Sequence, residues 1–456
     1  MKPFASPDHL DLEFKEALTK TCSVLCDWMG EAGKRGPLPG FIPDIEIMPR
    51  SKGLHFDQLI SDLHEVMEGS FQPSHPGSLA HLDPPPLTAS IIGDLICAAL
   101  NNNLLAEELS PSLTKLERNL IKWFCIRLGL PNSSGGVMAS GGSLSNLMAL
   151  VMAREAADLS TDHTAVVLAS EDSHVSIEKA IRVMGLAQDS FRRIKTDSSG
   201  QMDIDDLAEN VRDIRDNGRN VFVVIATAGT TIRGVIDPIT YLAEFCREEG
   251  LWLHIDGAIG GVFALSESTK SLLTDISRAD SLTLNPQKVL GITKTSSVLL
   301  VSNKKHLENT FSTGLPYVEP ATANESHGGE IGIQGSRSAE ILKLWLGLRH
   351  LGEEGIDLLL NHSIKRRIYF EELVDKSKFQ ILGGPLHLLS FTENKQNSEN
   401  DSCVWSQNTK SKLLKEGFML SRPFHKGRFC LKAVFGNPHT SFYHLDQLAS
   451  IINDKC

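Results

Sequence analysis

Ser281-Leu-Thr-Leu-Asn-Pro-Gln-Lys288 is a short apolar β-type run that ends in a polar turn and presents a lysine. Upstream, Leu251-Trp-Leu-His-Ile-Asp256-Gly-Ala258 has the same form, a buried-looking strand with one carboxylate at its C-terminal end. Val221-Phe-Val-Val-Ile-Ala226 and Ser297-Val-Leu-Leu-Val301 are further runs of this kind, and residues 205–216 and 241–249 carry helical patterns between them. Such alternation argues an α/β domain, a mainly parallel sheet with helices on both faces. Ligands of these sheets bind beyond the C-terminal strand ends. Asp256, Lys288 and the turn at 227–231 all follow strands at that edge, consistent with one site.

A lysine after a strand is, alone, usually a surface residue. A strand-end aspartate followed by a strand-end lysine is what pyridoxal phosphate chemistry requires: Lys288 forms the Schiff base, and Asp256 keeps the ring nitrogen protonated. A lone buried carboxylate is costly, and a cationic partner removes the cost. Two further segments fit. Ala139-Ser-Gly-Gly-Ser143 precedes Leu144, Leu147, Met148 and Val151 at helical spacing, a Gly-rich turn opening a helix whose free N–H groups suit a phosphate. Glu171-Asp-Ser-His174 follows the run Ala165-Val-Val-Leu-Ala169, where an imidazole can stack on a flat ring. Read singly, the first is also an ordinary loop and the second an ordinary histidine near a helix start.

Taken in order, these segments resemble the group II pyridoxal-phosphate-dependent amino acid decarboxylases, the family of the glutamate, cysteine sulfinate, aromatic amino acid and diaminobutyrate enzymes. The resemblance runs from Pro73-Ser-His-Pro76 to Asn437-Pro-His-Thr440. Its most specific pieces are Ser110-Pro-Ser-Leu-Thr-Lys-Leu-Glu117, Ser140-Gly-Gly-Ser143, Ser173-His174, Thr227-Ala-Gly-Thr-Thr231, His254-Ile-Asp256-Gly-Ala258 and Asn285-Pro-Gln-Lys288. Gly335-Ser-Arg337 with Leu342-Lys-Leu-Trp345 adds to them. The resemblance implies the fold type I architecture, with a large seven-stranded-type sheet domain, a small C-terminal α+β domain and an N-terminal helical arm. It also implies a homodimer in which the arm packs on the partner.

Within that resemblance Lys288 holds pyridoxal 5'-phosphate, Asp256 pairs with the pyridinium nitrogen and His174 stacks on the ring. Ala258 leaves the other ring face open. Gly142, Ser143 and Asn285 hold the phosphate, and Thr231 bonds Asp256 or the ring's hydroxyl side. Arg337 stands at the family's arginine position, where it serves either the substrate or a structural ion pair. Two departures stand out. Gln287 occupies the place of a histidine before the lysine; it can still donate to phosphate but cannot titrate. The family's mobile loop carries a tyrosine that returns a proton after CO₂ leaves, whereas Pro320-Ala-Thr-Ala-Asn-Glu-Ser-His-Gly-Gly329 has none. His327 lies near that place and Tyr317 further back; an imidazole can deliver the proton near neutral pH.

Composition and organisation agree with a large enzyme. At 456 residues the chain exceeds one ordinary core. The expected division is an arm at 1–100, a cofactor-binding domain at 101–335 and a small domain at 336–456. Helices are expected at 10–29, 55–68, 338–351, 361–376 and 441–453, a strand at 428–435 and a polar loop at 396–402. The arm is amphipathic but too poor in apolar residues for a core of its own. An apolar content of 41% excludes wholesale disorder, and a net charge of −11 opposes binding to nucleic acid or anionic membranes. The eight cysteines show no CxxC pair and no zinc spacing, so we expect reduced thiols and no metal. The opening residues lack the apolar stretch of a secretory signal, and Asp94 interrupts the apolar run 91–100; the expectation is a cytoplasmic protein without a membrane span.

The leading reading is decarboxylation of an L-amino acid to its amine. The alternatives are decarboxylation coupled to oxidative deamination, which yields an aldehyde, another fold type I reaction such as transamination, and a catalytically silent protein that keeps the fold. Intact Asp256 and Lys288 argue against the last. Small residues in Pro76-Gly-Ser-Leu79 hint at a non-aromatic substrate.

Overall fold

The computed structural model describes residues 3–319, 321, 325–394 and 398–454. Cys456, Gln396, Asn397, Pro320 and residues 322–324 of the expected loop lie outside the described residues. The arm begins with α1 (Leu12–Gly30), capped by Asp11, whose carboxylate accepts the Phe14 amide at 3.0 Å. A single-turn α2 (Ala32–Arg35) and α3 (Phe56–Glu68) follow. Only Ala17, Ala32 and Ile60 of these helices are buried, while Phe14, Leu59, Leu63 and Val66 are exposed. The arm as folded has no core. Next comes α4 (Thr88–Leu100), which behaves differently although it lies inside the expected 1–100 boundary. It crosses a long C-terminal helix so closely that a Cβ on Gly93 would meet the Lys343 Cα at 2.6 Å. Asp94, in the same helix, pairs with the buried Lys343 at 3.3 Å.

The central part of the chain contains α5 (Pro111–Arg127), β1 (Gly135–Ala139), α6 (Gly142–Ala156), β2 (Val166–Ser170), α7 (Ser176–Val183), β3 (Phe191–Ile194) and α8 (Ile204–Asp216). It continues through β4 (Val221–Thr227), α9 (Ile239–Glu249), β5 (Trp252–Gly257), β6 (Ser281–Leu284), β7 (Ser297–Val301) and α10 (Lys305–Phe311). The seven strands run in the order β1-β7-β6-β5-β4-β2-β3, all parallel except β7, which opposes both neighbours. Successive side chains of a strand point to opposite faces. Accordingly Val166, Leu168, Val224, Ala226, Leu253 and Ile255 join one core with α5, α8 and α9. Val167, Ala169, Val223 and Ile225 pack with α6 and α7 on the other face. Both faces are covered, which explains why these strands read as unbroken apolar runs.

The C-terminal part of the chain opens on α11 (Ile341–Leu373), where the sequence suggests two helices; Gly352, at φ 63°, breaks it in the middle, and Ile341, Leu344 and Leu348 of its first half join the core of the seven-stranded sheet. Then come β8 (Phe379–Gly383), β9 (Leu388–Glu393), α12 (Glu399–Lys415), β10 (Phe424–His425), β11 (Arg428–Phe429), β12 (Leu431–Val434) and α13 (Phe442–Asn453). Three antiparallel strands in the order β12-β9-β8 carry a second core that includes Phe370, Phe391, Phe435 and Leu448. Two expectations are corrected. Residues 399–402 are helical, because Ser398 and Asp401 form a reciprocal capping box. The strand expected at 428–435 is two, since β11 pairs with β10 and β12 pairs with β9.

Among the described residues no helix is long and apolar enough to cross a membrane, and no cluster suits a metal ion. Cys97, Cys125, Cys246 and Cys430 are buried free thiols; Cys22 and Cys26 are exposed.

Candidate active site

Adjacent parallel strands bring Thr227 of β4, Asp256 of β5 and Thr283 of β6 into register. Asp256 is 5% exposed; one carboxylate oxygen accepts Asn146 Nδ2 at 2.9 Å and the other the Ala258 amide at 3.1 Å. Beyond β6, a short turn bonded from the Lys288 amide to the Asn285 carbonyl (3.0 Å) swings Lys288 to the same edge. Burial lowers the Lys288 ammonium pKa, against the opposing pull of Asp256 and Asp83. A lysine so placed is easier to obtain as the free amine that attacks a carbonyl.

The second cradle is built by β1 and α6. Gly141 adopts φ 122°, which lets the chain turn into the helix, and no side chain caps the helix start. A Cβ on Gly142 would stand 2.9 Å from Asn285 Nδ2 and 3.5 Å from the Ala258 Cβ, so glycine keeps this space open. Ser297 donates to Asn285 Oδ1 at 2.8 Å, leaving the amide nitrogen on the Gly142 side. Ser143 is exposed in the first turn. Gln287 accepts the Ser296 amide through its carbonyl oxygen at 2.6 Å, which leaves its NH₂ as a donor.

His174 follows β2 on a turn leading into α7. Its Nδ1 accepts from the Ser176 hydroxyl (2.9 Å) and amide (3.2 Å). Burial lowers its pKa, with Asp256 opposing and Lys288 reinforcing, so all three feel one another.

The pyridoxal-dependent decarboxylase conserved domain matches residues 42–389 of this chain. The chain belongs to the pyridoxal-dependent decarboxylase family. It is 32% identical over 382 residues to an aromatic-L-amino-acid decarboxylase of Bacillus atrophaeus, covering 82% of this chain and 80% of that protein. It is 29% identical over 389 residues to a cysteine sulfinic acid decarboxylase of Homo sapiens, covering 81% and 76%. The fold superposes on that of Oryza sativa TDC, solved with PLP and tryptamine, with a TM-score of 0.91, 23% identity and 99% of each chain covered. This member of the family is therefore a pyridoxal-phosphate-dependent carboxy-lyase with the fold type I architecture.

The residues present fit that cofactor. Thr227 carries a buried hydroxyl without a partner among the described residues, beside Asp256 in the sheet register. Its amide is held at 2.7 Å by Asp237, a fully buried carboxyl that burial pushes up to about 7. The open space over Gly142 and the acid of Asp256 complete a cradle for a phosphate at one end and a pyridine nitrogen at the other. Thr231, the expected hydroxyl, is half-buried, and its carbonyl accepts Lys432 Nζ at 3.4 Å. Sequence reasoning passed over Thr227, Asn146, His254 and Lys432. The first three sit inside or beside the quoted motifs, whose reading gives them no role of their own. Lys432, in a strand of another sheet, left no local signal.

The remaining expected residues lie elsewhere in the chain's own packing. Arg337 pairs with Glu117 at 3.0 Å, both side chains buried. His327 is buried too: its Nδ1 accepts the Glu107 amide at 3.2 Å and its Nε2 meets the Glu319 carbonyl at 2.9 Å. Both ring nitrogens are thus engaged by backbone, and no ring proton is free at this position. Tyr317 is exposed.

Proposed function

We propose that the protein removes CO₂ from an L-amino acid and releases the corresponding amine. The observation that carries the reading is the convergence of Lys288, Asp256 and His174 at one sheet edge, facing the Gly142–Asn285 cradle. When bound, the pyridoxal ring supplies an electron sink for the pair left by the departing CO₂. The chain's residues do the rest. Lys288, whose ammonium form burial disfavours, would hold the carbonyl end of the group through its amine. Asp256 would pair with the ring nitrogen as its carboxylate partner, and His174 would lie against the ring face and hold the group in place. A proton returned to the α-carbon completes the amine.

A second buried ammonium bears on the substrate. Lys432 is 7% exposed, and burial with the nearby Lys288 lowers its pKa to about 8. A cation this desolvated gains most from an anion. We take it as the partner of a side-chain carboxylate or sulfinate of the substrate, favouring acidic amino acids over aromatic ones. Measuring CO₂ release from the twenty amino acids, diaminobutyrate and cysteine sulfinate tests both statements. Release from none of them overturns the decarboxylase reading, and aromatic substrates alone overturn the role of Lys432. The expected KM effect of Lys432→Met is confined to the anionic substrates.

One observation favours a second outcome, decarboxylation with oxidative deamination. The segment expected to return the proton has no tyrosine between 320 and 329, and the His327 ring is tied to backbone. Slow return of the proton gives dioxygen time to accept two electrons and become hydrogen peroxide, and water then hydrolyses the resulting C=N bond to aldehyde and ammonia in place of the amine. Product analysis separates the two.

The reading includes a homodimer. Exposed Phe14, Ile42, Ile47, Leu63, Ile92 and Ile96 leave the arm and the outer face of α4 without cover in one chain. A second copy, placing its arm there, buries them. A sedimenting monomer with active cofactor would exclude this. The buried free thiols agree with a cytoplasmic setting.

A further inference from the structure

We infer that Asn146 is a positioning residue: one buried amide that locks both Asp256 and His174, the acid at the ring nitrogen and the imidazole on the ring face, into a single frame. The inference rests on the cofactor-binding reading of those two residues.

Asn146 projects from α6 toward the sheet and is 1% exposed. Its nitrogen donates to Asp256 Oδ2 at 2.9 Å and to Ser176 Oγ at 3.0 Å. Its oxygen accepts from Thr283 Oγ1 at 2.8 Å and faces His254 Nε2 at 3.1 Å. All four hydrogen-bonding valences of the amide are used. Their direction is forced. Flipping the amide would set its oxygen against the Asp256 carboxylate, so the nitrogen must face the acid. The oxygen therefore faces His254, which must carry its proton on Nε2.

The remaining bonds agree. Trp252 Nε1, which can only donate, reaches Ser281 Oγ at 2.8 Å, and the Ser281 hydroxyl is left to donate to His254 Nδ1 at 2.8 Å. On the other side, Ser176 accepts from Asn146 and passes its own proton to His174 Nδ1 at 2.9 Å. The chain runs one way, from Trp252 through Ser281 and His254 to Asn146, where it divides toward Asp256 and toward His174. Burial lowers the His254 pKa to about 4, so the relay stays neutral. Asp256 thus receives only neutral donors from the protein, and its charge remains for the ring nitrogen.

A fully satisfied buried network of this kind fixes geometry more than it adds stability, and removing one member leaves the others exposed to an unmet bond. Without Asn146, Asp256 loses the donor that sets its rotamer. A ring nitrogen that gives up its proton no longer withdraws charge from the Lys288-linked nitrogen, whose own proton then leaves at higher pH.

The experiment uses holoenzyme reconstituted with pyridoxal 5'-phosphate. In Asn146→Ala, borohydride should still label Lys288, while the pH midpoint of the bound cofactor's visible absorbance moves up by about one unit. The kcat should fall about tenfold or more with KM little changed. His254→Leu should shift the midpoint the same way. His254→Gln, whose amide can still donate to Asn146, should restore it. These two variants carry the test if Asn146→Ala does not fold. Native midpoint and kcat in Asn146→Ala with Lys288 labelled, or equal midpoints in His254→Leu and His254→Gln, overturn the proposal. Failure to label Lys288 in the unmodified protein overturns the cofactor reading instead.

Discussion

Arg337 and Glu117 face each other at 3.0 Å, and less than a tenth of either side chain is exposed. Glu117 also accepts the Met138 amide of β1 at 3.3 Å. The Arg337 backbone is bonded to the segment before α5, its amide to Asn103 Oδ1 (3.2 Å) and its carbonyl to the Leu104 amide (2.9 Å). The pair therefore ties the segment before α11 to α5 and the edge of the large sheet.

Arg337→Ala leaves the Glu117 charge buried and unpaired, which costs about 3–5 kcal/mol. The expected result is a marked fall in the urea midpoint, partly reversed in the double variant Arg337→Met/Glu117→Gln. If Arg337 instead served the substrate, Arg337→Lys would raise KM while the midpoint held.

Asp256→Asn should retain cofactor and lose turnover. The amide cannot hold a proton on the ring nitrogen, so the electron pair left by CO₂ loses its sink. A drop of about 10²-fold or more in kcat corresponds to about 2.7 kcal/mol or more of transition-state stabilisation. Near-native kcat in a variant with full cofactor loading would reduce Asp256 to a structural residue.

The same two residues show what the sequence makes legible. Asp256 and Lys288 close strands whose apolar runs need both sheet faces covered, so their position at one edge follows from local pattern. The two edge strands hid themselves. Phe191–Ile194 carries two arginines and pairs only at the sheet edge with β2, and Gly135–Ala139 is too glycine-rich to read as β. The Asn146 relay joins residues on α6, α7, β5 and β6, and Lys432 reaches the Thr231 carbonyl from β12. Such contacts depend on the register of distant segments, which no single stretch records.

Acid should weaken the fold through His387. This imidazole is fully buried, stacked on Phe263 at 5.6 Å, and burial with the charges of Arg366, Lys288 and Lys432 lowers its pKa to about 3. In the unfolded chain it titrates near 6.5. Between those values the unfolded state binds a proton that the folded state refuses, so the contribution is complete above about 6.5 and is lost as pH falls toward 3. His387→Leu should flatten the decline of the urea midpoint between about pH 7 and 5, gaining more at the acid end. A parallel decline in both proteins would remove His387 from the account.

The last prediction concerns the proton that finishes the reaction. His327 can supply it only by leaving the Glu107 amide and the Glu319 carbonyl, since its single neutral-state proton is directed at that carbonyl. Tyr317 is 71% exposed and has no such contact to break among the described residues. With the acid removed, the carbon waits for its proton and dioxygen competes. Tyr317→Phe should therefore raise the ratio of aldehyde to amine, whereas His327→Gln, which keeps a donor for Glu319, should leave that ratio unchanged. The comparison is made at equal cofactor loading, because neither residue touches the Gly142–Asn285 cradle. A shift in His327→Gln alone makes His327 the donor and requires the loop to move during turnover. No shift in either assigns the proton to Lys288 or water, and leaves the segment the task of excluding solvent.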